Sequence, residues 1–174
     1  MATELEKVLR SFGKRVNKQA RLNLKKKKSN DTGKLSNSLF LKVKENPNSI
    51  SVDMMWESYG DFIDQGVRGA GGVRKTTSGF NNRNNKGKLW KIKAKNSKYR
   101  FGKSGGISSK HFVGWAKRKG ISPFAVAKAV YHQGIETTHF FSEPFNKEFK
   151  TLPEEVTEAY GLDVENFLKF SLDA

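Results

Sequence analysis

Residues 67–107 set the terms for any fold this chain can adopt. The stretch is crowded with Gly, Asn, Ser and Lys, and its one plausible strand is Leu89-Trp90-Lys91-Ile92-Lys93-Ala94. A structureless connection of this length inside a single domain is uncommon and is usually functional or disordered. The reading is therefore an inserted arm, a flexible loop or β-hairpin held by Trp90, Ile92 and Phe101. The body on either side covers residues 1–66 and 108–174, and the whole chain, 1–174, is expected to be one domain.

Charge marks the same region. Between Gln65 and Ile135 there is no Asp or Glu, yet seventeen Lys and Arg occur there. Residues 1–64 carry +5 and residues 136–174 carry −6, so the middle supplies the whole imbalance behind the net +16. Segregated positive charge points to a surface turned toward a polyanion or an acidic partner. Within it, cations interleave with Phe80, Trp90, Tyr99 and Phe101, a composition that suits phosphate neutralisation with base stacking. The competing reading is a solvated loop or an arm that docks on an acidic neighbour. The residues expected to face nucleic acid, a channel lumen or a partner are Arg68, Arg74, Lys75, Arg83, Lys86, Lys88, Lys91, Lys93 and Lys95.

The hydrophobic share is 36%, with thirteen Phe, three Trp and four Tyr, enough for a modest core. The absence of Cys excludes disulfides, thiolate metal sites and a cysteine nucleophile. No apolar run approaches the ~20 residues of a membrane span, and charge interrupts every apolar pair near the N-terminus. A chain made in a cytosol is expected.

Periodicity outlines the body. Leu5, Val8, Leu9, Phe12, Val16 and Ala20 form a helical stripe, started by a Thr3–Glu6 capping box and closed by Lys25–Lys28. Ser-Asn-Asp-Thr-Gly (29–33) reads as a turn. Leu39, Leu41 and Val43, then Ile50, Val52 and Met54, alternate on either side of Pro47-Asn48 and predict a hairpin. Tyr59, Phe62 and Ile63 predict a short helix ended by Gly66. His111, Phe112, Trp115 and Ala116 predict a helix stopping at Gly120; Ser122-Pro123 opens another that runs to Gly134. Thr138–Phe141 is a strand candidate, Pro144 begins a helix, and a Thr151–Glu154 capping box begins the last one.

No catalytic constellation emerges. His111, His132 and His139 lack metal-ligand spacing, and structural roles are favoured. Asp61 and Asp64 could hold a nuclease metal only with a downstream Glu-x-Lys, which an acid-free region cannot supply. Gly69–Gly72 lacks the Gly-Lys-Ser/Thr of a phosphate loop. No nucleophile elbow, helix-turn-helix, zinc-finger or RNA-binding signature is present. Neither a cofactor nor a metal is expected, and the chain is not expected to be an enzyme.

Three short segments in order carry a family resemblance. Asp31, Thr32, Gly33, Leu35 and Ser38 form D-T-G-x-L-x-x-S before the hairpin. Tyr59, Phe62, Ile63, Asp64 and Gly66 form a second segment, and Phe140, Phe141 and Pro144 open the last helical region. With this order the chain resembles the tail-completion, or head–tail joining (neck), proteins of long-tailed bacteriophages, over about two thirds of its length. The resemblance implies an α+β subunit: a small curved antiparallel sheet with packed helices and a long N-terminal helix. It further implies a homo-oligomeric ring, commonly six-fold, between head connector and tail tube or terminator, within the virion and around packaged double-stranded DNA. Asp31, Thr32, Gly33, Tyr59, Phe62, Gly66, Phe140, Phe141 and Pro144 would then be structural. The arm at 67–107 departs from the family in length and charge. The alternative from another class is a stand-alone basic nucleic-acid-binding module, and a distant third is a nuclease using Asp61 and Asp64.

Overall fold

A computed structural model of the chain describes residues 3–27, 31–46, 49–74, 88–102 and 105–172. In chain order it contains α1 (Glu4–Lys26), α2 (Lys34–Ser38), β1 (Phe40–Asn46), β2 (Ser49–Met55), α3 (Gly60–Gln65), β3 (Val67–Arg68), β4 (Val73–Arg74) and β5 (Lys88–Leu89). A 3-10 turn at Ser109–Phe112 leads into α4 (Val113–Lys119), followed by α5 (Pro123–Gln133), β6 (Gly134–Ile135), α6 (Ser142–Phe149) and α7 (Leu152–Leu172). The fold is mixed α+β, as expected, with a long N-terminal helix. Its described strands pair only in twos, β1 with β2, β3 with β6 and β4 with β5, all antiparallel.

Spatial proximity divides the chain into two units, residues 1–60 with 139–174, and residues 61–138. The sequence had suggested divisions at 66 and 108 instead. The segment 88–102 and helices α4 and α5 fall in the same unit, because short backbone pairings that sequence periodicity does not register tie them together.

In the first unit α1 is the organising element. Leu9, Phe12, Val16, Ala20 and Leu24 are buried along one face, which packs on α6, α7 and the β1–β2 hairpin. The expected stripe is thus extended by a turn to Leu24. Thr3 caps the helix, its hydroxyl oxygen accepting the Glu6 N–H at 3.1 Å. The reciprocal half of the capping box is absent: the Glu6 carboxylate turns forward to Arg10. Gly13 lets the hairpin approach, since Leu41 Cδ1 lies 1.5 Å from where a Cβ would stand.

The hairpin register pairs Leu41 with Met54 and Val43 with Val52, so the predicted apolar face is realised. Short helix α2 precedes it where only a turn and a strand were expected. Gly33, in the left-handed region at φ 78°, leads into this turn of helix, which buries Leu35. Phe12 meets Phe145 edge-on at 5.8 Å, and Trp56, Phe141, Phe145 and Phe149 follow one another at 4.4, 5.8 and 5.6 Å between ring centres.

Two further expectations are corrected here. Thr138–Phe141 is not a strand, because the threonines serve α3 instead. The Thr137 hydroxyl donates to Gln65 O at 3.0 Å and the Thr138 hydroxyl to Ile63 O at 2.6 Å, occupying carbonyls that a helix end leaves unpaired. Nor does Thr151 form a box with Glu154; its hydroxyl lies 3.2 Å from Glu148 O and 3.0 Å from Glu155 Oε1.

The second unit is held by backbone crossings that demand glycine. Gly134 has φ 89°, and a Cβ there would stand 2.1 Å from Val67 O. Gly66 has φ 71° and ends α3 as predicted. Gly120 and Pro123 likewise bound α4 and α5 where expected. Val67, Ala116 and Ala127 are buried.

Candidate nucleic-acid and partner interface

Charge follows the structural division. Residues 61–138 hold seventeen cations and three carboxylates, a net +14, whereas the other unit carries +2. The basic surface thus belongs to a folded unit, not only to an arm.

Its best-defined feature is built from β3 and the segment around Arg100. The Arg68 N–H donates to Tyr99 O at 2.8 Å, and the Phe101 N–H donates to Arg68 O at 3.0 Å. This parallel bridge sets Arg68 beside Arg100, and both side chains are exposed. They line a half-open cleft of about 390 Å³ whose other walls are Gly69, Ala70, Phe101 and Gly102. No carboxylate lines it, and neither arginine makes an ion pair among the described residues. Two adjacent guanidinium groups repel one another, and a phosphate that accepts from both relieves that repulsion. The Tyr131 hydroxyl braces the rim by donating to Gly102 O at 2.8 Å.

Of the cations singled out by sequence, Arg68 is therefore in this cleft. Lys91, Lys93 and Lys95 are exposed on the neighbouring segment, and Lys93 Nζ is 3.7 Å from Glu136 Oε2. Arg74 and Lys88 are partners across the β4–β5 ladder. Lys75, Arg83 and Lys86 lie outside the described residues. Arg100 was missed, although its position between Tyr99 and Phe101 repeats the cation–aromatic interleaving that drew attention to the region.

Of the predicted strand Leu89–Ala94 only Leu89 is in a strand, at the end of β5. The path beyond it is set by single contacts: the Trp90 N–H donates to Gly72 O at 3.0 Å and the Lys93 N–H to Gln133 O at 2.7 Å. The Trp90 ring stacks on His132 at 5.4 Å with 4° between planes, and His132 Nδ1–H donates to Gly71 O at 2.6 Å. Ala94 then turns the chain with φ 47°. His132 is accordingly a structural residue, and His139 Nδ1 lies 3.1 Å from Ser142 Oγ. Asp64 is buried while Asp61 is exposed. Among the described residues no three His, Asp or Glu gather as metal ligands.

The motif residues occupy joints of the fold. Asp31 and Thr32 form the exposed bend that leads to Gly33. Ser38 ties the two ends of the hairpin, its hydroxyl donating to Leu35 O at 3.0 Å and accepting the Glu57 N–H at 3.1 Å. Tyr59 sits in the turn before α3; burial, then the Glu57 carboxylate, push its phenol above its ordinary pKa. Phe62 meets Tyr99 edge-on at 4.8 Å. Phe140 is fully buried, Phe141 packs on Trp56, and Pro144 is buried in the first turn of α6.

No family model, curated protein or solved structure matches the chain.

Proposed function

We propose that this chain is a structural subunit of a bacteriophage neck, a tail-completion or tail-terminator protein that assembles as a ring between head connector and tail around the DNA channel. The observation that carries the reading is the order of the three motif segments on an α+β body, each with a mechanical role. One positions the hairpin through Gly33, Leu35 and Ser38. The second ends α3 at Gly66, where the basic unit continues, and the third buries Phe140 under α1. In this reading these residues build a scaffold. Exposed large apolar side chains along α7, among them Tyr160, Leu162 and Leu168, further support a subunit that completes its burial against neighbours.

In this reading the +14 unit lines or borders the channel. Contact through phosphates alone holds DNA without reading sequence, so the duplex can still slide. The Arg68–Arg100 cleft gives some support to a second reading, a stand-alone nucleic-acid-binding module.

Light scattering of the purified chain over a concentration series, alone and with connector and tail-tube proteins, separates the two. A ring-sized species, or a stable complex with either protein, is the expected result. A monomer at every concentration that ignores both proteins and binds duplex DNA with steep salt dependence would overturn the neck reading in favour of the second.

A further inference from the structure

The geometry points to a specific joint between neighbouring copies: the stretch of α7 from Glu158 to its end in one subunit docks in the groove between α1 and β1 of the next. This deepens the ring reading and rests on it for closure.

The groove is about 550 Å³ in volume. One wall is a ridge of α1 formed by Lys14, Lys18, Arg21 and Lys25, spaced i, i+4, i+7 and i+11, so the cations run along one side for ~16 Å. Leu22 and Phe40 supply exposed apolar surface beside them. No carboxylate lines the groove, and none of the four cations makes an ion pair among the described residues. Arg21 is held in place by donating to Leu39 O at 2.9 Å. The site thus asks for an occupant that is both apolar and acidic.

Helix α7 is such an element. Tyr160, Val164, Phe167 and Leu168 are exposed, Phe167 to 67% and Tyr160 to 63%. Their i, i+4, i+7, i+8 spacing is the anchor pattern of a helix that lies in a groove. Exposed Glu158 and Glu165 lie beside them, Glu165 also paired with Lys169 at 2.6 Å, and the segment 158–172 carries a net −2, opposite in sign to the ridge.

The same helix cannot fill its own groove. Arg15 contacts Glu155, and Glu4 contacts Asp163, so α1 and α7 run antiparallel. Residues after Asp163 therefore continue past the start of α1, by ~13 Å over the last turns. The groove lies toward the other end of α1, more than two helical turns away. A second copy is the occupant that this overhang can reach. Because helix and groove are different surfaces, the contact is head-to-tail, the type that generates rings when the rotation closes.

Charge reversal tests the joint. Lys14→Glu with Lys18→Glu, or Glu158→Lys with Glu165→Lys, should each raise the concentration needed for self-association about tenfold or more. Mixing the two variants should restore it, as should combining all four changes in one chain. Circular dichroism checks that each variant folds, which surface positions permit. Leu168→Asp should act like the single-sided reversals. If the oligomer survives every variant with unchanged mass, the joint lies elsewhere and this inference falls while the ring reading stands. If the unaltered chain stays monomeric and binds neither connector nor tail proteins, both fall.

Discussion

Asp163 closes the first turn of α1 from across the first unit: its Oδ1 accepts the Glu4 N–H at 2.8 Å and its Oδ2 accepts the Leu5 N–H at 3.0 Å. The opening N–H groups of a helix have no partner within it, and a carboxylate there also faces the positive end of the helix dipole. Asp163→Ala should therefore cost about 1–2 kcal/mol, read as a lower urea midpoint without a change in slope. Asp163→Asn keeps one acceptor and should lose roughly half as much.

Arg15 bridges two helices, with Nε 2.7 Å from Glu148 Oε2 and Nη2 2.9 Å from both oxygens of Glu155. The hydrogen bond from Arg15 holds the Glu155 carboxyl below its ordinary pKa of about 4.5. The folded state thus favours the carboxylate, and the stability this adds is present above that value and lost as the pH falls through the lowered one. The pair is partly exposed, so its contribution is at most about 1 kcal/mol. Urea titrations should find Glu155→Gln less stable than the parent at neutral pH, with the gap narrowing as the pH falls below about 4.5.

Gly13 and Leu41 form a matched pair of small and large. Adding a methyl group at Gly13 drives the Leu41 side chain from its place, and Gly13→Ala should cost about 1–3 kcal/mol despite its better helix propensity. Leu41→Ala alone should also destabilise. The double variant should be more stable than the two losses summed, with a coupling of about 0.5 kcal/mol or more in a denaturation cycle.

The Arg68–Arg100 cleft makes a prediction about salt. If both guanidinium groups meet phosphates, Arg68→Ala and Arg100→Ala should each reduce the slope of log affinity for duplex DNA against log salt by about 1, uniformly across sequences. Lys128→Ala, an exposed cation on α5, is the control. An unchanged slope in both arginine variants would remove the cleft from the DNA interface.

Legibility from sequence followed the range of the forces involved. α1, the β1–β2 register and the ends of α4 and α5 were readable because period, Pro123, Gly120 and Gly134 act within a few residues. The Asp163 cap was not, since its partners lie 159 and 158 positions away. The role of Thr137 and Thr138 escaped for the same reason: their β-branched pattern reads as strand, while their hydroxyls answer carbonyls of a distant helix. In Leu89–Ala94 alternation misled, because Trp90 is committed to His132 and Ala94 to a left-handed turn. In the cleft the charge was legible, but the adjacency of Arg68 and Arg100 depends on two backbone bonds that no local pattern announces.

The Thr138 N–H lies 3.2 Å from Ile63 O and 3.1 Å from Asp64 O, so the basic unit begins and finishes at nearly one point. An insertion of this shape asks its host to span only a few ångströms, and the entropy of closing such a gap changes little with what hangs beyond it. The cationic module could therefore lengthen, shrink or be exchanged for another during evolution while the helical scaffold that receives it stayed the same.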